Sequence, residues 1–272
     1  MTVAERTASE VIDTPLLDVE ERLNRERKFH DDRFGGDDSE RSAAKKYYTA
    51  NRAAELKYND LIVALCDKKR LLEYGCGTGS ESKRWVEHGA ILTGLDISDE
   101  GIAKAKEFAN QSGYKASYHV MNAEAMEFPN ASFDVVVGTG ILHHLDLTKC
   151  YQELSRVLDK NGHAIFIEPL GHNPVINLYR LLTPKMRTDD EHPILMKDLL
   201  QMREHFSKVD VHYFSLLSLF AVPFRRFSFH TSMLRILEKI DAGLFKVPGI
   251  ARFAWIVAVS YTHLTLPTIY SV

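Results

Sequence analysis

The stretch Leu71 to Ser80, LLEYGCGTGS, constrains the fold more than any other part of this chain. An apolar run carries an acid, Glu73, and then Gly75, Gly77 and Gly79 alternate with Cys76 and Thr78. Glycine at this density lets the backbone take positive φ or approach something closely. RLLEY before the turn reads as a strand and SESKRWVEHG after it as a helix, so the turn sits where open α/β sheets hold ligands.

The rest of the chain repeats that grammar. AILTGLD reads as a strand, and SDEGIAKAKEFANQSG as a helix with Ser98 as its N-cap and Gly113 just past its end. ASYHVMN, FDVVVGT and HAIFIEP read as further strands, with DLTKCYQELSRVLDKNG as the helix before the last of them. Strand and helix in alternation predict a parallel sheet with helices on both faces. After Pro169, PVINLYRLL and ILMKDLLQMREHF read as helices and KVDVHYFSL as a strand. Residues 216–249 read as an aromatic, basic, helical cap.

Composition narrows the partners. A net charge of −3 exerts no global pull toward nucleic acid or an anionic membrane. Cys66, Cys76 and Cys150 have no disulfide or metal-ligand spacing, which suits a reducing compartment. The opening MTVAERTASEVIDTP lacks a basic region followed by an apolar run. The stretch LLSLFAVPF is far short of the roughly 20 residues a spanning helix needs. A cytoplasmic protein is the expectation, without nucleic acid and with membrane-surface contact not favoured. Oligomeric state is not legible.

Three ligands share the strand, glycine turn, helix grammar. A phosphate loop needs a lysine after its last glycine, and none follows here. A dinucleotide turn needs GxGxxG, but the third glycine comes one position early, at Gly79, with Ser80 in the required place. What remains is ExGxGxG: Glu73, Gly75, Gly77, Gly79.

With that motif the chain resembles the class I S-adenosylmethionine-dependent methyltransferases, in their small-molecule, type 11-like branch. The resemblance spans about Leu71 to Glu168. It implies an α/β, Rossmann-like, doubly wound and mostly parallel seven-stranded sheet with helices on both faces and a helical cap. It implies S-adenosylmethionine as cofactor, with Gly75, Cys76, Gly77 and Gly79 forming the turn around it. Glu73 would contact the methionyl ammonium directly or through water, or else serve as a structural acid bonded to the loop. Asp96, at the end of AILTGLD and about 20 residues past the turn, would accept from both ribose hydroxyls, with Ile97 beside it. Asn122 stands where the family usually has Asp, and its amide oxygen can still accept from the adenine amine. Ala123 would offer its N–H, with Glu124 adjacent, and Thr139, Gly140 and Leu142 would line the cofactor after FDVVVGT.

The residues after the fourth strand, GTGILHHL, lack the Asn/Asp-Pro-Pro-Tyr/Phe motif of base-directed amino methyltransferases. A small-molecule acceptor is therefore expected, methylated at oxygen, with nitrogen or carbon (a quinone- or lipid-like acceptor) as alternatives. A nicotinamide-dependent oxidoreductase and a non-catalytic cofactor binder are the competing classes. Histidine is the natural base near neutral pH, which makes His144, His143 and His172 the catalytic candidates. Asp190, Glu191 and His192 form either a pocket cover or a solvated turn. No spacing suggests a metal ligand set, and none is expected.

Three regions follow. Residues 1–60 form a lid segment, with Phe29, His30, Phe34, Tyr47 and Tyr48 folding over the cofactor. Residues 61–258 are the methyltransferase domain, including the 216–249 cap. VSYTHL, Val259 to Leu264, resembles the translation of a sequencing-transposon end, so 259–272 is expected to be a non-native, adapter-derived tail.

Overall fold

A computed structural model of the chain describes residues 19–36, 49–183, 188 and 190–263. Tyr47 and Tyr48 lie outside them, as do residues 1–18 and 264–272. Helix α1 (Val19–Gly35) is followed by α2 (Arg52–Val63), β1 (Arg70–Tyr74), α3 (Ser82–Glu87), β2 (Ile91–Asp96), α4 (Asp99–Ser112) and β3 (Ser117–Val120). Then come β4 (Phe133–Thr139), α5 (Leu147–Val157), β5 (Leu158–Pro169), α6 (Pro174–Leu182), α7 (Met196–His205), β6 (Phe206–Phe214), α8 (His230–Leu244) and β7 (Ile256–His263).

The strands form one seven-stranded sheet in the order β3-β2-β1-β4-β5-β7-β6. All neighbours pair in parallel except β7, which runs antiparallel to both β5 and β6. The expected Rossmann-like architecture is the one observed. Chain order reverses between β1 and β4, which puts a crevice at their carboxyl ends.

Side-chain alternation sorts the core into two layers. Leu72, Tyr74, Val136 and Phe166 face α5 and α7, while Leu71, Val135, Val137 and Ile165 face α2, α3 and α4. In α5, Leu147, Cys150, Tyr151, Leu154 and Val157 make the buried stripe, at the spacing of a single helix face. Caps set the starts of several helices. Ser98 Oγ accepts from Gly101 N, Asp146 from Thr148 N and Lys149 N, and Asn173 from Val175 N and Ile176 N.

Two boundaries differ from the sequence reading. The helix expected to run through LDKNG stops at Val157, because buried Leu158 turns extended (φ −73°, ψ 139°) and pairs with Phe133 as β5 begins. The strand expected through Asn122 ends at Val120; Met121 still donates to Asp96 O, which leaves Asn122 in the loop above the crevice.

The segment around 216–249 sits between β6 and β7 in sequence, as a 3₁₀ stretch (Leu217–Phe224) and α8. Buried Asp241 fastens them together by accepting from the amides of Leu216, Leu217 and Ser218 at 3.1, 2.7 and 3.1 Å. The expected tail boundary at 258 falls inside β7 (Ile256–His263). Val259 and Tyr261 are fully buried in β7, with Val259 paired to Phe166 on one side and Val211 on the other. Among the described residues no helix is long and apolar enough to cross a membrane.

Candidate active site

A cavity of about 370 Å³ opens at the carboxyl ends of β1, β2 and β4. Its floor is the glycine turn. Gly75 has φ +76°, and a Cβ there would stand 2.8 Å from Ile141 Cγ1; at Gly77 (φ +50°) it would stand 3.0 Å from Phe34 Cζ. The turn thus requires glycine twice over, for its left-handed backbone and for close neighbours. Gly75 N and Cys76 N both donate to Leu95 O at 2.9 Å, tying the turn to β2.

Two acids define the floor's chemistry. Glu73 is buried and accepts from Ser82 Oγ; burial pushes its pKa up to about 8, with the Ser82 hydrogen bond offsetting part of the rise. A carboxyl so placed is matched to an incoming cation. Asp96 accepts from Gly77 N at 2.8 Å through Oδ2 and from Ser98 N at 3.0 Å through Oδ1. A carboxylate has about four lone-pair sites, so both oxygens retain capacity for a pair of ligand hydroxyls.

Of the residues expected around a cofactor, Glu73, Gly75, Cys76, Gly77, Asp96, Ile97, Asn122, Ala123, Thr139 and Gly140 line the cavity. Three do not. Gly79 packs instead against Ala105 and Tyr118, where a Cβ would stand 3.1 Å from each. Leu142 is fully buried in the core, and Ile141 takes its place in the wall. Glu124 turns away to hold Arg22 and the amide of Asp146.

The roof is α1. Arg22 donates to both oxygens of Glu124 at 2.6 Å and to His144 O at 3.2 Å. Ser98 Oγ donates to Asp31 at 2.5 Å and Glu100 N to the same oxygen at 3.1 Å, so a side chain of α1 joins the cap of α4. Lys104 Nζ donates to Phe34 O. Of the lid residues expected, His30 and Phe34 line the cavity; Phe29 does not, and its ring meets that of His30 edge-on at 5.4 Å. No residue of 216–249 lines the cavity, so the segment expected as a cap flanks the sheet while α1 does the covering.

The three histidine candidates part company. His144 lines the cavity, with Nδ1 3.2 Å from Glu26 Oε2 on α1. Burial drives Glu26 upward, but hydrogen bonding to His144 and His30 outweighs it and holds the carboxyl well below its usual range. His143 stands behind, its ring 4.3 Å from that of His144 and its Nδ1 2.7 Å from Glu168 Oε2. Burial lowers the His143 pKa against the pull of Glu168. Glu168 Oε1 also accepts from Ile141 N and Leu142 N at 2.9 and 2.8 Å, which fixes the turn that presents both histidines. His172 is outside the cavity, where Nε2 accepts from Met196 N at 3.2 Å. Asp190 and Glu191 bind Arg25 and Arg180 at 2.8 and 2.9 Å, and His192 N donates to His143 O at 2.9 Å.

Sequence reading missed Arg22, Glu26, Tyr58 and Ile141 in the wall. The four-residue spacing of Glu26 and His30 on one helix was the only available signal. Ligand atoms of Glu26, His30 and His144 lie within 4.8 Å of one another, as do those of His143, His144 and Glu191.

Comparison with known proteins agrees with this geometry. Residues 72–166 match a family model described as a methyltransferase domain. A ubiquinone biosynthesis O-methyltransferase of Nitrosomonas europaea is 31% identical over 129 residues, 47% of this chain and 54% of that protein. The chain therefore spans about half the length of the curated relatives it matches. Among solved structures, the magnesium protoporphyrin IX methyltransferase of Synechocystis, with bound SAH, aligns with TM-score 0.56 at 13% identity, over 89% of this chain and 100% of that one. The [4+2]-cyclase SpnF aligns with TM-score 0.53 at 19% identity, over 76% of this chain and 80% of that one. At such identities these structures share the fold.

Proposed function

We propose that this protein, whose residues 72–166 match a family model described as a methyltransferase domain, binds S-adenosylmethionine and transfers its methyl group to a small-molecule acceptor, at oxygen. One observation carries the reading: the Asp96 carboxylate, held between Gly77 N and Ser98 N at the edge of the cavity, is set for two vicinal hydroxyls. The buried Glu73, short of a cation, fits the ammonium end of the same molecule. Asn122 and Ala123 fit an adenine edge between them.

When bound, S-adenosylmethionine supplies an electrophilic methyl carbon on a sulfonium. The chain's own part is alignment and dryness: α1 closes over the cavity, and Thr139, Gly140 and Ile141 form the wall beside the reacting end. An oxygen acceptor must also lose a proton. His144 is the candidate base, being the one of the three histidines in the wall, while His143 and Glu168 position the turn behind it. The oxygen assignment is supported by the similarity to ubiquinone biosynthesis O-methyltransferases. A cytoplasmic location, and the division into lid, domain and foreign tail, belong to the same proposal.

Calorimetry with S-adenosylhomocysteine and with NAD tests the donor site. Binding of the first and not the second is expected, and the reverse sinks the reading. A panel of catechols, phenols, carboxylates, amines and quinones, scored by S-adenosylhomocysteine formation, then tests transfer. A blank across the whole panel, with the donor bound, favours a non-catalytic binder.

A further inference from the structure

Glu26, His30 and His144 converge across the seam between α1 and the domain beneath it. Glu26 and His30 are four residues apart, hence on one face of α1, and that face is turned toward His144. Glu26 Oε2 lies 3.2 Å from His144 Nδ1 and 3.5 Å from His30 Nε2. Four-coordinate ions with N and O ligands at about 2.0–2.1 Å keep those ligand atoms roughly 3.3–3.4 Å apart. The two observed separations bracket that value.

Two further features point to an occupant. Glu26 and His144 are 4% and 6% exposed, and among the described residues Glu26 Oε2 and His144 Nδ1 have no hydrogen-bond partner outside the three-residue group itself. Buried polar atoms that face only one another call for a shared proton or an ion between them. The other Glu26 oxygen, Oε1, accepts from Thr188 Oγ1 at 2.5 Å, the outer-shell bond that orients a ligating carboxylate. The rival group of His143, His144 and Glu191 is weaker, because Glu191 Oε1 already accepts from Arg180 and His143 Nδ1 is taken by Glu168.

We propose that Glu26, His30 and His144 bind a divalent transition metal of the zinc or cobalt class, with a coordination position left open toward the cavity. Two imidazoles and one carboxylate are a donor set such ions accept. The ion staples α1 to the domain. Its further use rests on the methyl-transfer reading: an acceptor hydroxyl bound at the open position would lose its proton to solvent more easily, and with the ion bound His144 would serve as ligand in place of the base role given above.

The test is titration of the metal-stripped full chain with Co²⁺ and Zn²⁺ by calorimetry, with the visible spectrum of the Co²⁺ form recorded in parallel. One equivalent is expected, with a spectrum of low-symmetry nitrogen and oxygen coordination. Glu26→Gln and His144→Gln should each weaken binding at least about tenfold, while exposed His88→Gln leaves it unchanged. Variants are compared only if their circular dichroism matches wild type, and metal should raise the unfolding midpoint of wild type alone. No binding by wild type, or equal binding by both site variants, overturns the proposal; the first leaves a proton-held Glu26–His144 pair. S-adenosylhomocysteine affinity, measured without metal, reports on the methyl-transfer reading separately.

Discussion

Arg22 on α1 and Glu124, 102 residues further along the chain, meet with the guanidinium Nη2 2.6 Å from both carboxylate oxygens. Arg22 is 17% and Glu124 1% exposed in their side chains, so the pair is largely out of water. Breaking such a pair from one side leaves a buried charge, which costs about 3–5 kcal/mol. Arg22→Ala should therefore loosen α1: amide exchange over residues 19–35 should rise by at least about tenfold while exchange in β1 and β4 stays constant. Equal protection of α1 in the variant would show that the pair does not hold the lid.

Asp96→Ala removes the acceptor for Gly77 N and Ser98 N as well as the proposed ribose contact. S-adenosylhomocysteine affinity should fall by about 100-fold or more, on the scale of two charge-assisted hydrogen bonds. Calorimetry that finds the affinity unchanged would remove Asp96 from the site.

Glu73 gives a pH signature. Its pKa is about 8 in the fold against an ordinary 4.5, so between those values the unfolded chain has released a proton that the ligand-free fold retains. Stability contributed by this group is complete below pH 4.5 and declines as pH rises toward 8. The unfolding midpoint of wild type should fall relative to that of Glu73→Gln across that window. An ammonium bound beside Glu73 would ionise it, so donor binding near pH 7 should release a proton, read as a dependence of binding enthalpy on buffer. Glu73→Gln should not release it.

Gly77→Ala forces alanine into a left-handed backbone, at about 1–2 kcal/mol, and sets a methyl 3.0 Å from Phe34 Cζ. Donor affinity should drop and α1 should become more accessible to protease. Gly113→Ala shares the positive φ but has no neighbour within 4 Å of its Cβ, so it should cost stability alone.

Where local chemistry decides structure, the sequence was readable. Strands RLLEY and FDVVVGT end where their apolar runs end, and α4 begins at Ser98 and stops before Gly113 because hydroxyl cap and left-handed glycine are local signals. The cavity wall is legible as far as it follows strand ends, which is why Glu73, Asp96 and Thr139 line it, and Asn122 joins them from the loop after β3. What failed was direction. Leu142 and Glu124 lie in the expected loop, but a 3₁₀ turn anchored on Glu168 points one into the core, and Arg22 draws the other away. The sequence places α1 in a lid segment on the strength of Phe29, His30 and Phe34, and its charged stripe, Arg22, Arg25 and Glu26, stays unassigned. Its partners, Glu124, Asp190 and His144, come from segments that no periodicity links to it.

Asp31 gives α1 a second identity. Its carboxylate accepts from Ser98 Oγ and Glu100 N at the start of α4, directly after the strand that delivers Asp96. Lifting the roof therefore also removes part of the cap from the helix next to Asp96. On the proposed function, spent donor leaves through an opening whose frame loosens as it opens, so letting go is mechanically tied to exit. Turnover would then be timed by this hinge of helix and cap, and a faster enzyme would be sought at Asp31 rather than among the histidines.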